Sequence, residues 1–139
     1  MSLLLDTNVL SEILRSTPEP AVLAWFSAQR EDQLFVSAVT QAEMLLGARL
    51  LPEGRRRQRL EEALRGLFDV DFAGRVLAFD GAAVAHYVEI VATRRRAGRP
   101  ISQFDAQIAA IGRRHGLPLA TRNVRDFEGC GLRVLDPWA

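Results

Sequence analysis

The sequence predicts an α/β fold with a mainly parallel central sheet. Short apolar runs, Leu3-Leu4-Leu5, Leu34-Phe35-Val36 and Leu119-Ala120, alternate with longer segments of helical periodicity. The runs are apolar at consecutive positions, as strands covered on both faces must be. Length agrees: 139 residues, 48% of them hydrophobic, suit one compact domain, too short for two and too apolar for long disorder.

The elements follow in order. Leu3-Leu4-Leu5 is the first strand, closed by Asp6-Thr7-Asn8, and Asn8 is placed to cap a short helix through Leu14. A helix is expected over 18–29, with Pro20 near its start and Val22, Leu23, Trp25 and Phe26 on its apolar face. Leu34-Phe35-Val36 is the second strand. Ser37 or Thr40 caps the helix after it, which runs to about Leu51. Pro52-Glu53-Gly54 breaks the chain before a helix from about Arg55 to Leu67. Val76-Leu77-Ala78-Phe79 is the third strand, followed by Asp80 and a helix to about Ala97. After Gly98-Arg99-Pro100, Ser102 caps a helix to His115, which Gly116 ends. Leu119-Ala120-Thr121 and Arg133-Val134-Leu135 are the last strands. No repeat or linker interrupts the series, so residues 1–139 read as one domain.

Composition excludes several chemistries. Cys130 is the one cysteine, so there is no intramolecular disulfide and no thiolate cage for zinc. His86 and His115 leave little for an imidazole site; a metal here must be held by oxygen. There is no signal peptide and no run of ~20 uncharged residues to span a membrane, which makes the cytoplasm the default compartment. Net charge is +1 and names no partner, but all 18 basic residues are arginine, so any phosphate contact would use guanidinium forks. The clusters at 55–59, 94–99 and 113–114 suit a nucleic-acid backbone, although a solvated helix face is the commoner use of any single run.

Three acids stand where a solvated acid should not. Asp6 ends an apolar strand, so it emerges at the C-terminal sheet edge where ligands bind in parallel sheets; capping the next helix is the other use of that position. Glu43 falls on the stripe Val39, Ala42, Leu46, Leu50, where an unpaired carboxylate would cost several kcal/mol, so it needs a cation, an arginine or a proton. Asp105 shares a face with Ile101, Ile108, Ala109 and Gly112, unless it serves as a first-turn partner of the helix dipole. Thr121-Arg122-Asn123-Val124-Arg125-Asp126 leaves another strand end. There Asn123 reads as a helix cap and Asp126 as an acid near the rim or a surface acid paired with Arg122 or Arg125. Acids converging from separate segments make a pocket suited to Mg²⁺ or Mn²⁺ and to phosphodiester cleavage. Rival motifs fail: a haloacid-dehalogenase nucleophile pair needs an acid where Asn8 stands, and without lysine a phosphate-binding P-loop is impossible.

Four motifs in order carry a resemblance: Leu4-Leu5-Asp6-Thr7-Asn8-Val9-Leu10-Ser11-Glu12, Ser37-x-x-Thr40-x-Ala42-Glu43-x-x-x-Gly47, Asp105-Ala106-x-Ile108-Ala109-Ala110 and Ala120-Thr121-Arg122-Asn123-x-x-Asp126-Phe127. Together they resemble PIN domains, most closely VapC toxins of the FitB-like branch, whose chains often close with a pair such as Pro137-Trp138. The resemblance implies a three-layer α/β/α domain that cleaves RNA with Mg²⁺ or Mn²⁺. It also implies a homodimer and a VapB-like or FitA-like antitoxin that blocks the site and binds operator DNA. Carried onto this chain, Asp6 and Asp105 match the metal-binding acids, and Glu43 the second acid, acting directly or through water. Thr7 and Asn8 match the residues that orient the first acid, and Thr121 the one beside the last strand. Many members carry Asp where this chain has Asn123, and the nearest acid is Asp126; an amide lacks that charge, which favours one metal over two. The competing expectation is a catalytically weak subunit of a DNA-binding regulatory complex.

Overall fold

The computed structural model describes residues 1–139. Five strands, β1 (Leu3–Leu5), β2 (Leu34–Ser37), β3 (Val76–Leu77), β4 (Leu119–Ala120) and β5 (Val134–Leu135), form one sheet in the order β3-β2-β1-β4-β5. Every pairing is parallel; Leu4 sits opposite both Phe35 and Leu119. The helices are α1 (Thr7–Ile13), α2 (Pro20–Ser27), α3 (Ala38–Arg49), α4 (Arg55–Gly66), α5 (Gly81–Arg96) and α6 (Gln103–His115).

The three consecutive leucines of β1 divide between two cores, because successive side chains in a strand point to opposite faces. Leu4 joins Ile90, Ile108, Ile111 and Phe127 on the side of α5 and α6. Leu3 and Leu5 join Val9, Leu10, Leu64 and Phe68 on the side of α1, α3 and α4. The result is three layers, helix on sheet on helix. β1 is central, and the chain leaves it first toward β2 and later returns to its other side as β4. That reversal opens a crevice at the C-terminal ends of β1 and β4.

Several expectations need correction. Asp6, not Asn8, is the N-cap of α1: its side chain accepts from the Thr7 N–H, and helical geometry has already begun at Thr7. The helix expected over 18–29 is confined to Pro20–Ser27, and the third strand stops at Leu77 instead of Phe79. Before β2 lies an unforeseen 3-10 turn, Glu31–Gln33, and a π turn over Leu67–Asp71 continues α4. Arg75 ties the two turns together, donating to the carbonyls of Glu31, Leu34 and Asp71.

The largest difference is the rotation of α3. Of the stripe expected to face the core only Val39 does: Ala42 is exposed, as are Leu46 (57%) and Leu50 (75%), while Thr40 and Ala48 are buried. A polar chain sets that rotation. The Thr40 N–H donates to Ser37 Oγ, Ser37 Oγ lies 3.2 Å from Thr40 Oγ1, and Thr40 Oγ1 lies 3.0 Å from Thr7 Oγ1. Turning Leu46 inward would break these bonds inside the protein, which costs more than leaving leucine surface in water.

Gly112 marks the tightest packing of α6 on the sheet. A Cβ there would meet Leu132 Cδ1 at 2.9 Å, and the Leu117 carbonyl and Leu4 Cδ2 at 3.3 Å. Gly112→Ala is expected to destabilise by about 1–2 kcal/mol, read as a lower urea midpoint, because overpacking outweighs the helix propensity of alanine.

Candidate active site

The crevice at the β1 and β4 ends is lined by Asp6, Thr7, Asn8, Glu43, Asp105 and Asn123, with Ser11, Glu12, Arg15, Arg122 and Trp138 around them. Asp6 is placed by the sheet itself, since its N–H donates to the Ala120 carbonyl across the β1–β4 edge. It is only 5% exposed. Its Oδ1 accepts from the Thr7 N–H at 2.8 Å. Its Oδ2 accepts from Thr121 Oγ1 at 2.7 Å and, more weakly, from Asn8 Nδ2 at 3.4 Å.

Thr121 is the hub of this arrangement. Its hydroxyl gives its one proton to Asp6 and accepts from Asn8 Nδ2 and from the Asn123 N–H, each at 3.1 Å. All hydrogen-bonding capacity of the hydroxyl is used, so both its position and its direction of donation are determined. Asn8 Oδ1 accepts from the Arg122 N–H, which ties the β4 exit to the first turn of α1. Thr7 divides its work: its N–H serves Asp6, while its hydroxyl, 3.0 Å from Glu43 Oε1, holds the second acid.

Asp105 stands in the first turn of α6, half-buried, with Ser102 as the cap. Asp126 is exposed and does not line the crevice, yet its charge reaches Asp105. It forms no ion pair with Arg122 or Arg125, contrary to the surface-pair expectation; Arg99 and Glu128 hold the nearby pair. Asn123 precedes the 3-10 turn Val124–Phe127 but makes no side-chain capping bond, so its amide is free to face the crevice.

Electrostatically the crevice sets three acids, Asp6, Glu43 and Asp105, together with no arginine paired to any of them. Burial pushes the Asp6 carboxyl up to about 6, against the lowering effect of the Thr121 and Thr7 hydrogen bonds and with a further push from Asp105 and Glu43. Asp105 is also raised, chiefly by burial and in part by Asp126, while Ser102 and Arg94 oppose the shift. None of the chain's ion pairs involves Asp6, Glu43 or Asp105.

Behind Asp126 lies a buried cation. Arg94 donates to the carbonyls of Arg99, Asp126 and Glu128 at 2.7, 2.8 and 3.0 Å, and lies 3.6 Å from Cys130 Sγ. It fastens the whole 123–130 segment to the end of α5. The Cys130 thiol is buried and raised, the opposite of an activated nucleophile.

No three Asp, Glu, His or Cys side chains are grouped closely enough to enclose a metal by themselves. A closed cage is not what Mg²⁺ requires, because it keeps several waters and takes one or two carboxylates plus substrate oxygens. The donors of the crevice are all oxygens, and its buried carboxylate has no cation, so the residues fit such an ion.

Sequence reasoning missed Ser11, Glu12, Arg15 and Arg122 as crevice residues, and read Trp138 only as part of a closing motif. A signal was present in α1: Asn8, Ser11 and Glu12 fall at i, i+3 and i+4, one polar stripe on the helix that Asp6 caps, and Arg15 follows just past its end. Glu12 is buried and accepts from Arg15 at 2.9 Å and from the Glu19 N–H.

The family model described as "PIN domain" matches residues 3–129. The chain is 40% identical over 136 residues to the VapC ribonuclease Y4jK of Sinorhizobium fredii, covering 98% of this chain and 97% of that one. It is 38% identical to the toxin FitB of Neisseria gonorrhoeae, covering 98% of both. The crystal structure of FitAcB from Neisseria gonorrhoeae superposes with a TM-score of 0.92 at 38% identity over 98% of each chain. That of FitAB bound to an IR36 DNA fragment superposes at 0.93, with 37% identity over 99% of this chain and 96% of that one. With its three-layer parallel fold and these full-length likenesses, the chain belongs to the PIN-domain family, in the VapC/FitB group.

Proposed function

We propose that this protein is the toxin of a toxin–antitoxin module, a divalent-metal-dependent endoribonuclease whose site is built on Asp6, Glu43 and Asp105. The observation that carries this is the buried Asp6 carboxylate at the sheet's switch point, paired with no arginine and with two further acids around it. Asp6 and Asp105 would hold Mg²⁺ or Mn²⁺, with Glu43 taking part directly or through water. When bound, the cation supplies Lewis acidity at the phosphodiester and lowers the pKa of a water. The protein's own part is preorganisation. Thr121 and the Thr7 N–H aim Asp6, Thr7 Oγ1 aims Glu43, and the sheet edge keeps both from collapsing together. Asn123, at the fourth position, offers a neutral carbonyl oxygen or amide donor to substrate or water, and Asp126 contributes its field from outside.

The FitAB and FitAcB relatives support a small antitoxin as the partner, through which operator DNA would be bound. A second copy of this chain is the expected partner of the apolar surface left on α3, where Leu45, Leu46 and Leu50 are exposed. Leu46→Arg is expected to shift the antitoxin-free protein from dimer to monomer by light scattering; an unchanged dimer places the contact elsewhere. No helix is long and apolar enough to cross a membrane, and the cytoplasm, where RNA and operator lie, is the proposed compartment.

The test is cleavage of mixed RNA by antitoxin-free protein with Mg²⁺, with Mn²⁺ and with chelator, beside Asp105→Asn. Metal-dependent cutting that Asp105→Asn abolishes supports the reading. Absence of cutting by a folded wild-type protein on every RNA class favours the regulatory-subunit reading instead. Metal occupancy has its own readout: at 100 times Kd, a bound ion stabilises by about 2.7 kcal/mol, a rise in Tm on the order of 5–10 °C. Asp6→Asn is expected to remove most of that rise.

A further inference from the structure

We infer that Arg122, propped on the indole of Trp138, is a nucleobase-stacking subsite for single-stranded RNA at the rim of the crevice. The inference rests on the endoribonuclease reading of the same site and names how the strand is held there.

Arg122 is exposed and lines the crevice together with Asp6, Glu43 and Asp105, yet it forms no ion pair with any of them. A free guanidinium beside three acids would ordinarily swing onto one of them. Two contacts hold it back. Its backbone N–H donates to Asn8 Oδ1 at 3.3 Å, which fixes where the side chain begins. Its Cζ lies over the Trp138 ring, 5.2 Å from the centroid, which fixes where the side chain ends. Trp138 is itself anchored: it packs against the core around Leu3, Leu5 and Ala120, and its backbone N–H donates to Asp136 Oδ1 at 2.9 Å. The guanidinium makes no hydrogen bond within the chain and is exposed, so its five N–H donors and its plane are left for a ligand.

A planar cation held over an indole and otherwise exposed presents the surface on which an unpaired base stacks. Its donors at the same time offer a fork to a neighbouring phosphate. A base engaged in a continuous duplex has no free face to give, so the substrate this geometry selects is a loop or single strand whose base beside the scissile phosphate is unstacked. Trp138 acts here as a positioning residue: it keeps Arg122 off the acids and in the plane the base requires.

The experiment measures binding of a short single-stranded RNA to the full chain carrying Asp105→Asn, and kcat and KM for cleavage by the chain with Asp105 intact. Arg122→Ala is expected to weaken binding about 10-fold, and to raise KM with little change in kcat. Arg122→Lys, which keeps charge but not the plane, is expected to restore less than half of that loss in free energy. An oligonucleotide missing the base beside the cleaved phosphate should bind about 10-fold more weakly to the Arg122 protein and equally to Arg122→Ala. Trp138→Leu, which keeps apolar packing but removes the π face, is expected to behave as Arg122→Ala, with an unchanged circular dichroism spectrum. Full rescue by lysine, or a missing-base penalty of the same size in Arg122→Ala, overturns the stacking subsite. If the wild-type protein cuts no RNA but the binding pattern holds, the subsite stands and the nuclease reading fails. If it cuts RNA and Arg122→Ala is indistinguishable from wild type, the nuclease reading stands and the subsite fails.

Discussion

Asp6→Asn is expected to lower metal-dependent RNA cleavage by roughly 10²–10³-fold, the scale for losing one preorganised electrostatic group, while making the metal-free protein relatively more stable at high pH. The two effects share one cause. Folded Asp6 titrates near 6 against an ordinary value of 3.8, so the folded state holds its proton more tightly than the unfolded chain does. The stability from that proton is complete below about pH 4 and is lost as pH rises through about 6, a loss of about 2–3 kcal/mol. Asparagine cannot ionise and escapes the loss. Its amide meets Asn8 Nδ2 and Thr121 Oγ1 less well than a carboxylate does, but that penalty is nearly independent of pH. Urea unfolding in chelator at pH 4 and pH 8 separates the two. The difference between variant and wild type should move in the variant's favour by about 2–3 kcal/mol between those values. A difference that stays constant with pH would show that Asp6 titrates normally. At neutral pH this site gives up that stability for a carboxylate that is ionised and buried with no arginine paired to it.

Arg94→Ala carries the second large expected effect, a loss of about 3–5 kcal/mol of folding stability, read from the urea midpoint. The side chain is 7% exposed, and its guanidinium serves three carbonyls and a thiol. Removing it leaves those acceptors without a donor in a space that water enters poorly, and removes the packing of the arginine stem. Arg94→Lys is expected to recover less than half, because one ammonium cannot span acceptors on residues 99, 126 and 128 as a planar fork does. Cys130 should react faster with a thiol reagent in Arg94→Ala, because exposing a thiol now buried against that side chain outweighs losing a cation that lowers the thiol's pKa. Unchanged Cys130 reactivity together with a small loss of stability would mean that the 123–130 segment is held by Phe127 alone.

Elements whose determinants are local were legible before the structure. Consecutive apolar triplets located β1 and β2, Ser102 and Gly116 bounded α6, and the alternation of strand and helix implied a parallel sheet. What escaped depends on partners distant in the chain. The rotation of α3 is set by Thr7, thirty-three residues before Thr40, and a stripe of leucines read alone points the wrong way. Glu43 was singled out on the premise that it lay on a buried face. It lies in the crevice for another reason, the reach of the Thr7 hydroxyl. Arg94 and Arg122 each sit in ordinary-looking arginine-rich sequence. Their separate situations, one buried on carbonyls and the other resting on indole, follow from loops that only the assembled sheet brings near.

The Thr121 hydroxyl that aims Asp6 comes from a residue 115 positions later in the chain. A ribosome making this protein therefore releases the first acid long before the group that orients it, with six helices and the strands β2 and β3 made in between. Until Thr121 emerges, the nascent chain carries the Asp6 carboxylate without the hydroxyl that aims it. The crevice is complete only once Thr121 has taken its place at the sheet edge, so the orientation of the first acid reports closure of the β1–β4 pair.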